Sequence, residues 1–136
     1  MLDLQPVLAW LDQKIENTEQ EFTLHAGAQS VCQLHKDGRV TGGLKYDEGR
    51  LVALTAARRI AWKHQNRGDS TDNSLSSALQ AERDRWQRTL QTYQSAGRPS
   101  IMWIAYNQGG VDALDDLLAQ VSANEQGSLP RISAVD

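Results

Sequence analysis

Apolar side chains change their period along this chain, and each change marks an element. Leu4, Leu8, Leu11, Ile15 and Phe22 recur at spacings of three, four and seven, the stripe of an amphipathic helix. Asp3 is placed to cap that helix, and Pro6 falls in its first turn, where a missing N–H costs little. The helix is expected to reach about Leu24, with His25 near its negative end and Gly27 stopping it. From Ser30 to Asp47 the period shifts. Val31, Cys32 and Leu34 lead into Lys36-Asp37-Gly38-Arg39, and Val40, Leu44 and Tyr46 follow. Asp-Gly between two short apolar runs signals a hairpin, while Gly42-Gly43 weakens its second strand, so a small hairpin at about 30–46 and an ordered loop both stay open.

A second helix is expected from Asp47 or Glu48 to about Gln65. Its alanines let a neighbouring helix approach closely, which suits the central helix of a bundle. Asn66 to Ser74 is dense in turn formers and reads as a surface loop, Arg67-Gly68-Asp69 included. The third helix, about Ser74 to Ala96, puts Leu75, Leu79, Trp86, Leu90 and Tyr93 on one face, and Gly97 and Pro99 end it. Glu82 falls inside that apolar stripe. Ile101 to Tyr106 is too short for its period to separate strand from buried helix, and helix is the reading adopted. A last helix is expected from Val111 to about Ala123, burying Leu114, Leu117, Leu118 and Val121. Residues 124–136 form a polar tail whose Leu129, Ile132 and Val135 favour docking on the domain or on a neighbouring subunit. No internal repeat stands out. The expected architecture is mainly α, a four-helix bundle-like single domain over residues 1–123, with or without the small hairpin.

Length and composition narrow the class. A chain of 136 residues holds one core, which argues against a multidomain enzyme. With 40% hydrophobic residues it is too apolar for intrinsic disorder, and it has no run long enough for a membrane helix. The single cysteine, Cys32, rules out an internal disulfide and any Cys-x-x-Cys zinc site, and the start of the chain lacks a secretory pattern; a cytoplasmic location is expected.

Charge is divided more sharply than the net value of −3 conveys. Residues 36–67 carry eight basic groups against three acidic ones, whereas the stretches on either side are each acidic. Such a division serves an anionic partner, or lets the middle of the chain dock against its own ends.

Chemistry-bearing patterns are few. His25, His35 and His64 are the candidate bases, and none sits in a nucleophile motif; Cys32 and His35 would share a face on a helix but not on a strand. Asp112, Asp115 and Asp116 are explained by the positive end of a helix rather than by a metal. Thr41-Gly-Gly-Leu-Lys45 lacks the spacing of a phosphate loop. No catalytic residue, metal or cofactor is assigned.

The segment Arg98-Pro-Ser-Ile-Met-Trp-Ile-Ala-Tyr-Asn-Gln-Gly-Gly110, with Ala113 and Leu117 beyond, resembles the closing helix of lysozyme-like lytic transglycosylases. In that family an aromatic Ala-Tyr-Asn-x-Gly element lines the glycan cleft, so the resemblance implies a glycan-acting protein. The family's catalytic Glu, followed by Ser, has no counterpart, since Glu21 is followed by Phe22.

The binding surface expected from the residues is the basic stripe Arg58, Arg59, Trp62, Lys63 and Arg67. Arg59 and Lys63 lie one helical turn apart and Arg67 continues the row. Arg58 sits at the apolar margin and needs a carboxylate, for which Glu82 is the expected partner. Of the four tryptophans, Trp62 is expected at a contact surface, because Trp and Arg dominate protein interfaces. The leading expectation is a non-enzymatic interaction or assembly subunit of a bacterial or phage complex, with a protein partner or a homo-oligomer. A helical nucleic-acid-binding accessory protein contacting phosphates through the same stripe is the alternative.

Overall fold

The computed structural model describes residues 4–26, 42–66 and 72–125. They form four helices: α1 (Gln5–Ala26), α2 (Gly42–Asn66), α3 (Asp72–Gln94) and α4 (Ile101–Glu125). No strand occurs among the described residues. The chain is a mainly α bundle.

Two boundaries differ from the sequence reading. α2 begins at Gly42, so residues 42–46, expected as the second strand of a hairpin, are helical; residues 27–41 lie outside the described residues. Leu44 is the reason: at 2% exposure it packs with Ala26, Phe22 and Met102, a contact that extends the helix by more than a turn. The second difference is α4, which passes unbroken through Gly109-Gly110 and joins two elements expected to be separate. Ser100 opens it, its hydroxyl accepting the Trp103 N–H at 3.3 Å in the manner of a helix cap. Asp3, the expected cap of α1, lies outside the described residues, as do the 126–136 part of the tail, Cys32, His35 and Arg67; at that end the Leu4 N–H donates to Gln65 Oε1 at 3.2 Å.

Leu4, Val7, Leu8 and Leu11 of α1, Leu54, Ala57 and Ala61 of α2, Leu75 and Leu79 of α3, and Leu114, Leu117 and Val121 of α4 form one core. It holds the beginnings of α1 and α3 and the ends of α2 and α4. The small second cluster, with Leu44 and Met102, holds the opposite ends. α2 and α4 therefore run in the same direction, each antiparallel to the helix before it.

The α2–α4 pair is the most extensive helix contact in the molecule. Gly49 lies against the Tyr106 carbonyl, and Gly109 lies against the Tyr46 carbonyl; a Cβ at either glycine would fall well inside 3.0 Å of that backbone oxygen. These reciprocal contacts expose a repeat that the sequence reading misses. Tyr46-Asp-Glu-Gly-Arg-Leu-Val-Ala-Leu54 matches Tyr106-Asn-Gln-Gly-Gly-Val-Asp-Ala-Leu114 as Tyr-x-x-Gly-x-aliphatic-x-Ala-Leu. The shared Ala and Leu, Ala53 with Leu54 and Ala113 with Leu114, are all buried. Each copy supplies the small residue on which the other's backbone rests.

Candidate functional site

The outer face of α2 carries the residues singled out from sequence. Val52, Thr55, Arg59, Trp62 and Lys63 follow one another at helical spacing, and all are exposed. Trp62 leaves 52% of its surface to solvent. Thr55, Arg58, Arg59 and Trp62 line an open depression of about 280 Å³.

The arginines are not equivalent. Arg58 donates through Nε to Asp12 of α1, and that carboxylate raises the guanidinium pKa above its ordinary value. Glu82, the partner expected for Arg58, is engaged on its own helix. It pairs with Arg85 and accepts the Trp86 indole N–H at 3.1 Å, which lets a carboxylate stay buried in the α3 stripe. Asp12 wins because α1 lies antiparallel beside α2 and brings it level with Arg58. Among the described residues the Arg59 and Lys63 side chains have no hydrogen bond or ion pair. The stripe thus offers two free cations beside a half-exposed indole.

A second cluster, not anticipated, lies where the beginnings of α2 and α4 meet the end of α3. Lys45 is only 5% exposed; its ammonium sits 4.7 Å from the centre of the Trp103 ring and 5.8 Å from that of Tyr106, and it pairs with Glu48 at 2.9 Å. The rings continue as a chain. Tyr93 stacks on Trp103 with centroids 6.3 Å apart, Trp103 meets Tyr106 edge-on at 5.2 Å, and Tyr106 lies 5.4 Å from Trp86. Burial, and then the charge of Glu48, push the Tyr106 phenol above its usual pKa. The sequence reading places Lys45 in a glycine-rich stretch and in the basic middle of the chain; the signal that finds this cluster is the position of Lys45 one residue before the tyrosine of the repeat.

This cluster also accounts for the residues behind the lytic transglycosylase resemblance. Tyr106 packs among Trp86, Trp103 and Lys45, and Asn107 is buried with its amide donating to the Trp103 carbonyl at 2.8 Å. Gly109 admits the Tyr46 backbone and Gly110 admits the Trp86 ring. Each has a packing reason.

Ion pairs hold α1 in place near its end. His25 and Arg50 both engage the buried Asp47, and Arg50 reaches Glu21 at 3.0 Å. On the other side of α4, Tyr46 donates to Asp112 at 2.6 Å, Gln108 donates to the other oxygen of Asp112 at 2.8 Å, and Arg83 pairs with Asp115 at 2.9 Å. Because α4 begins at Ile101, Asp112, Asp115 and Asp116 lie in its middle rather than at its positive end, and Asp112 and Asp115 face tyrosine, glutamine and arginine partners instead. Among the described residues no group of three or more His, Cys, Asp or Glu is placed to hold a metal ion, and no helix is long and apolar enough to cross a membrane.

Compared with known proteins, the chain matches no family model, no curated protein and no solved structure.

Proposed function

We propose that the chain is a non-enzymatic interaction module, an assembly subunit that meets its partner through the outer face of α2. The observation that carries this reading is the contrast between the two repeat copies. Counted from the shared tyrosine, Arg59, Trp62 and Lys63 of α2 correspond to Ala119, Ser122 and Ala123 of α4. Ala119 and Ser122 are exposed like their counterparts, so both helices present a surface there, and only α2 arms it. A half-exposed tryptophan between unpaired cations is the composition of a contact hot spot, where an aromatic anchor supplies area and a guanidinium supplies direction. None of the three side chains belongs to the core.

Photo-crosslinking tests the reading. Benzoylphenylalanine replaces Trp62 in the full chain, with Gln91, exposed on α3, as the control position. The expected result is a discrete protein adduct formed from position 62 and missing from position 91. Equal labelling from both positions overturns the proposal, and an adduct made only of nucleic acid would assign the stripe to phosphate binding instead.

A further inference from the structure

Resting on that reading of α2, we infer that one partner is a second copy of this chain, whose acidic α1 face docks on the basic stripe of α2. The two surfaces match in three independent ways.

Charge is the first. Arg59 and Lys63 are exposed and unpaired among the described residues, and so are the side chains of Glu16 and Glu19 on the outside of α1. Two free cations one turn apart thus have two free carboxylates three residues apart as counterparts. Apolar surface is the second. Leu24 is 79% exposed, the most exposed large apolar side chain among the described residues, and it borders an open depression of about 490 Å³ lined by Glu16, Glu19, Gln20 and Thr23. Across the contact, Trp62 and Val52 are the exposed apolar groups of α2.

Register is the third. A helix rises about 1.5 Å per residue, so Leu24 lies about 10 Å along α1 from the midpoint of Glu16 and Glu19. The same step of about 10 Å along α2, from the midpoint of Arg59 and Lys63 toward the helix start, arrives at Thr55. Thr55 is a wall of the depression beside Trp62 and follows Val52 by one turn. With the helices antiparallel, the carboxylates reach the cations while Leu24 enters that depression.

The two faces are different parts of one molecule, so the contact is head-to-tail. After one contact the pair keeps one free face of each sign, and growth continues into a ring or an open string rather than stopping at a dimer. Attraction between exposed charges is screened by salt, which sets how the assembly responds to conditions.

Sedimentation of the full chain at concentrations up to about 1 mM, where weak contacts are populated, reads the outcome. Above-monomer mass that grows with concentration at low salt, and falls to the monomer value near 1 M salt where the Debye length is about 3 Å, is expected. Arg59→Glu/Lys63→Glu and Glu16→Lys/Glu19→Lys should each stay monomeric. An equimolar mixture of the two should grow again, because the intact basic face of one meets the intact acidic face of the other and the two reversed faces are complementary in turn. A monomer at every salt and concentration, growth untouched by both double variants, or a mixture that stays monomeric overturns the inference. The salt titration needs no variant, so misfolding of a variant cannot hide the result. If self-docking fails while position 62 still crosslinks a different protein, the proposed function stands without it; if position 62 labels nothing specifically, that reading has failed as well.

Discussion

The two copies of Tyr-x-x-Gly-x-aliphatic-x-Ala-Leu share a buried face and have parted at other positions, and the parting separates what packing requires from what it leaves open. At the fifth position α2 has Arg50, which reaches across to Glu21 of α1, while α4 has Gly110, which makes room for the Trp86 ring of α3. At this position the α1–α2 pair is tied by an ion pair and the α3–α4 pair by an indole. Two positions after the tyrosine's glycine-bearing turn closes, α2 has exposed Val52 and α4 has Asp112, the acceptor for Tyr46. Farther along, Arg59, Trp62 and Lys63 stand where α4 has Ala119, Ser122 and Ala123. Packing fixes the inner positions of both helices, and the outer positions are left to diverge.

The shared glycines give the sharpest way to break this scheme. Ala replacing Gly in an exposed helix interior gains up to about 1 kcal/mol, because Gly loses the most backbone entropy on folding. At Gly49 and Gly109 the sign should reverse, since the added methyl meets a backbone carbonyl that cannot rotate away. Gly49→Ala or Gly109→Ala should each cost about 3 kcal/mol or more, read from urea unfolding. The double variant should cost less than the sum, because both methyls force the same separation of α2 from α4. Gly97→Ala is the control: nothing lies within 4 Å of its Cβ position, and its midpoint should not move measurably.

Gly110→Ala should fall between these limits. There the obstacle is the Trp86 ring, a side chain that can tilt, so about 1–3 kcal/mol is expected. Trp86 fluorescence should change with it, which the Gly97 variant would not cause.

The tyrosines that open the two copies differ as well. Burial first, then the hydrogen bond to Asp112, push the Tyr46 phenol up to about 12. The neutral phenol is therefore favoured in the folded chain. Its contribution is complete below about pH 10, the unfolded value, and is lost as pH climbs toward 12. Tyr46→Phe should cost about 1 kcal/mol at pH 7 and flatten part of the alkaline loss of stability. An unfolding series from pH 8 to about pH 12 reads both effects. A Phe variant with an unchanged alkaline limb would mean that Tyr46 does not hold Asp112 in solution.

Much of the inward-facing design was legible from spacing alone. Leu4, Leu8 and Leu11 of α1, Leu75 and Leu79 of α3, Ala57 and Ala61 of α2 and the last turns of α4 fall on the core as their period requires. The α2 start is not legible locally because Gly42-Gly43 reads as a chain breaker, while Leu44, which carries the helix back to residue 42, finds its partners Phe22 and Met102 on distant parts of the chain. Gly109-Gly110 misleads for the same reason. Local propensity counts two glycines as a stop, whereas the fold uses both as seats for Tyr46 and Trp86. At the candidate site the exposure of Trp62 could be anticipated from its neighbours, but the partner of Arg58 could not. Asp12 and Glu82 are equally suitable by charge, and only the lie of α1 beside α2 chooses between them.

The smallest expected effect on stability is the one that tests function most directly. Arg59→Ala/Trp62→Ser/Lys63→Ala gives the outer face of α2 the residues of α4. None of the three is in the core, and Arg59 and Lys63 have no partner among the described residues to leave unsatisfied. Unfolding stability should fall by no more than about 1 kcal/mol, since half of the Trp62 indole is already in solvent and the other two side chains are exposed. Association should nonetheless be lost, since a hot spot concentrates binding in a few side chains and removing its aromatic anchor typically costs at least about 2 kcal/mol, roughly 30-fold in Kd. A variant that folds normally and still self-associates or still holds its partner would show that the difference between the two copies carries no function. A variant that unfolds would show that the stripe belongs to the packing after all, and the division between inner and outer positions would have to be redrawn.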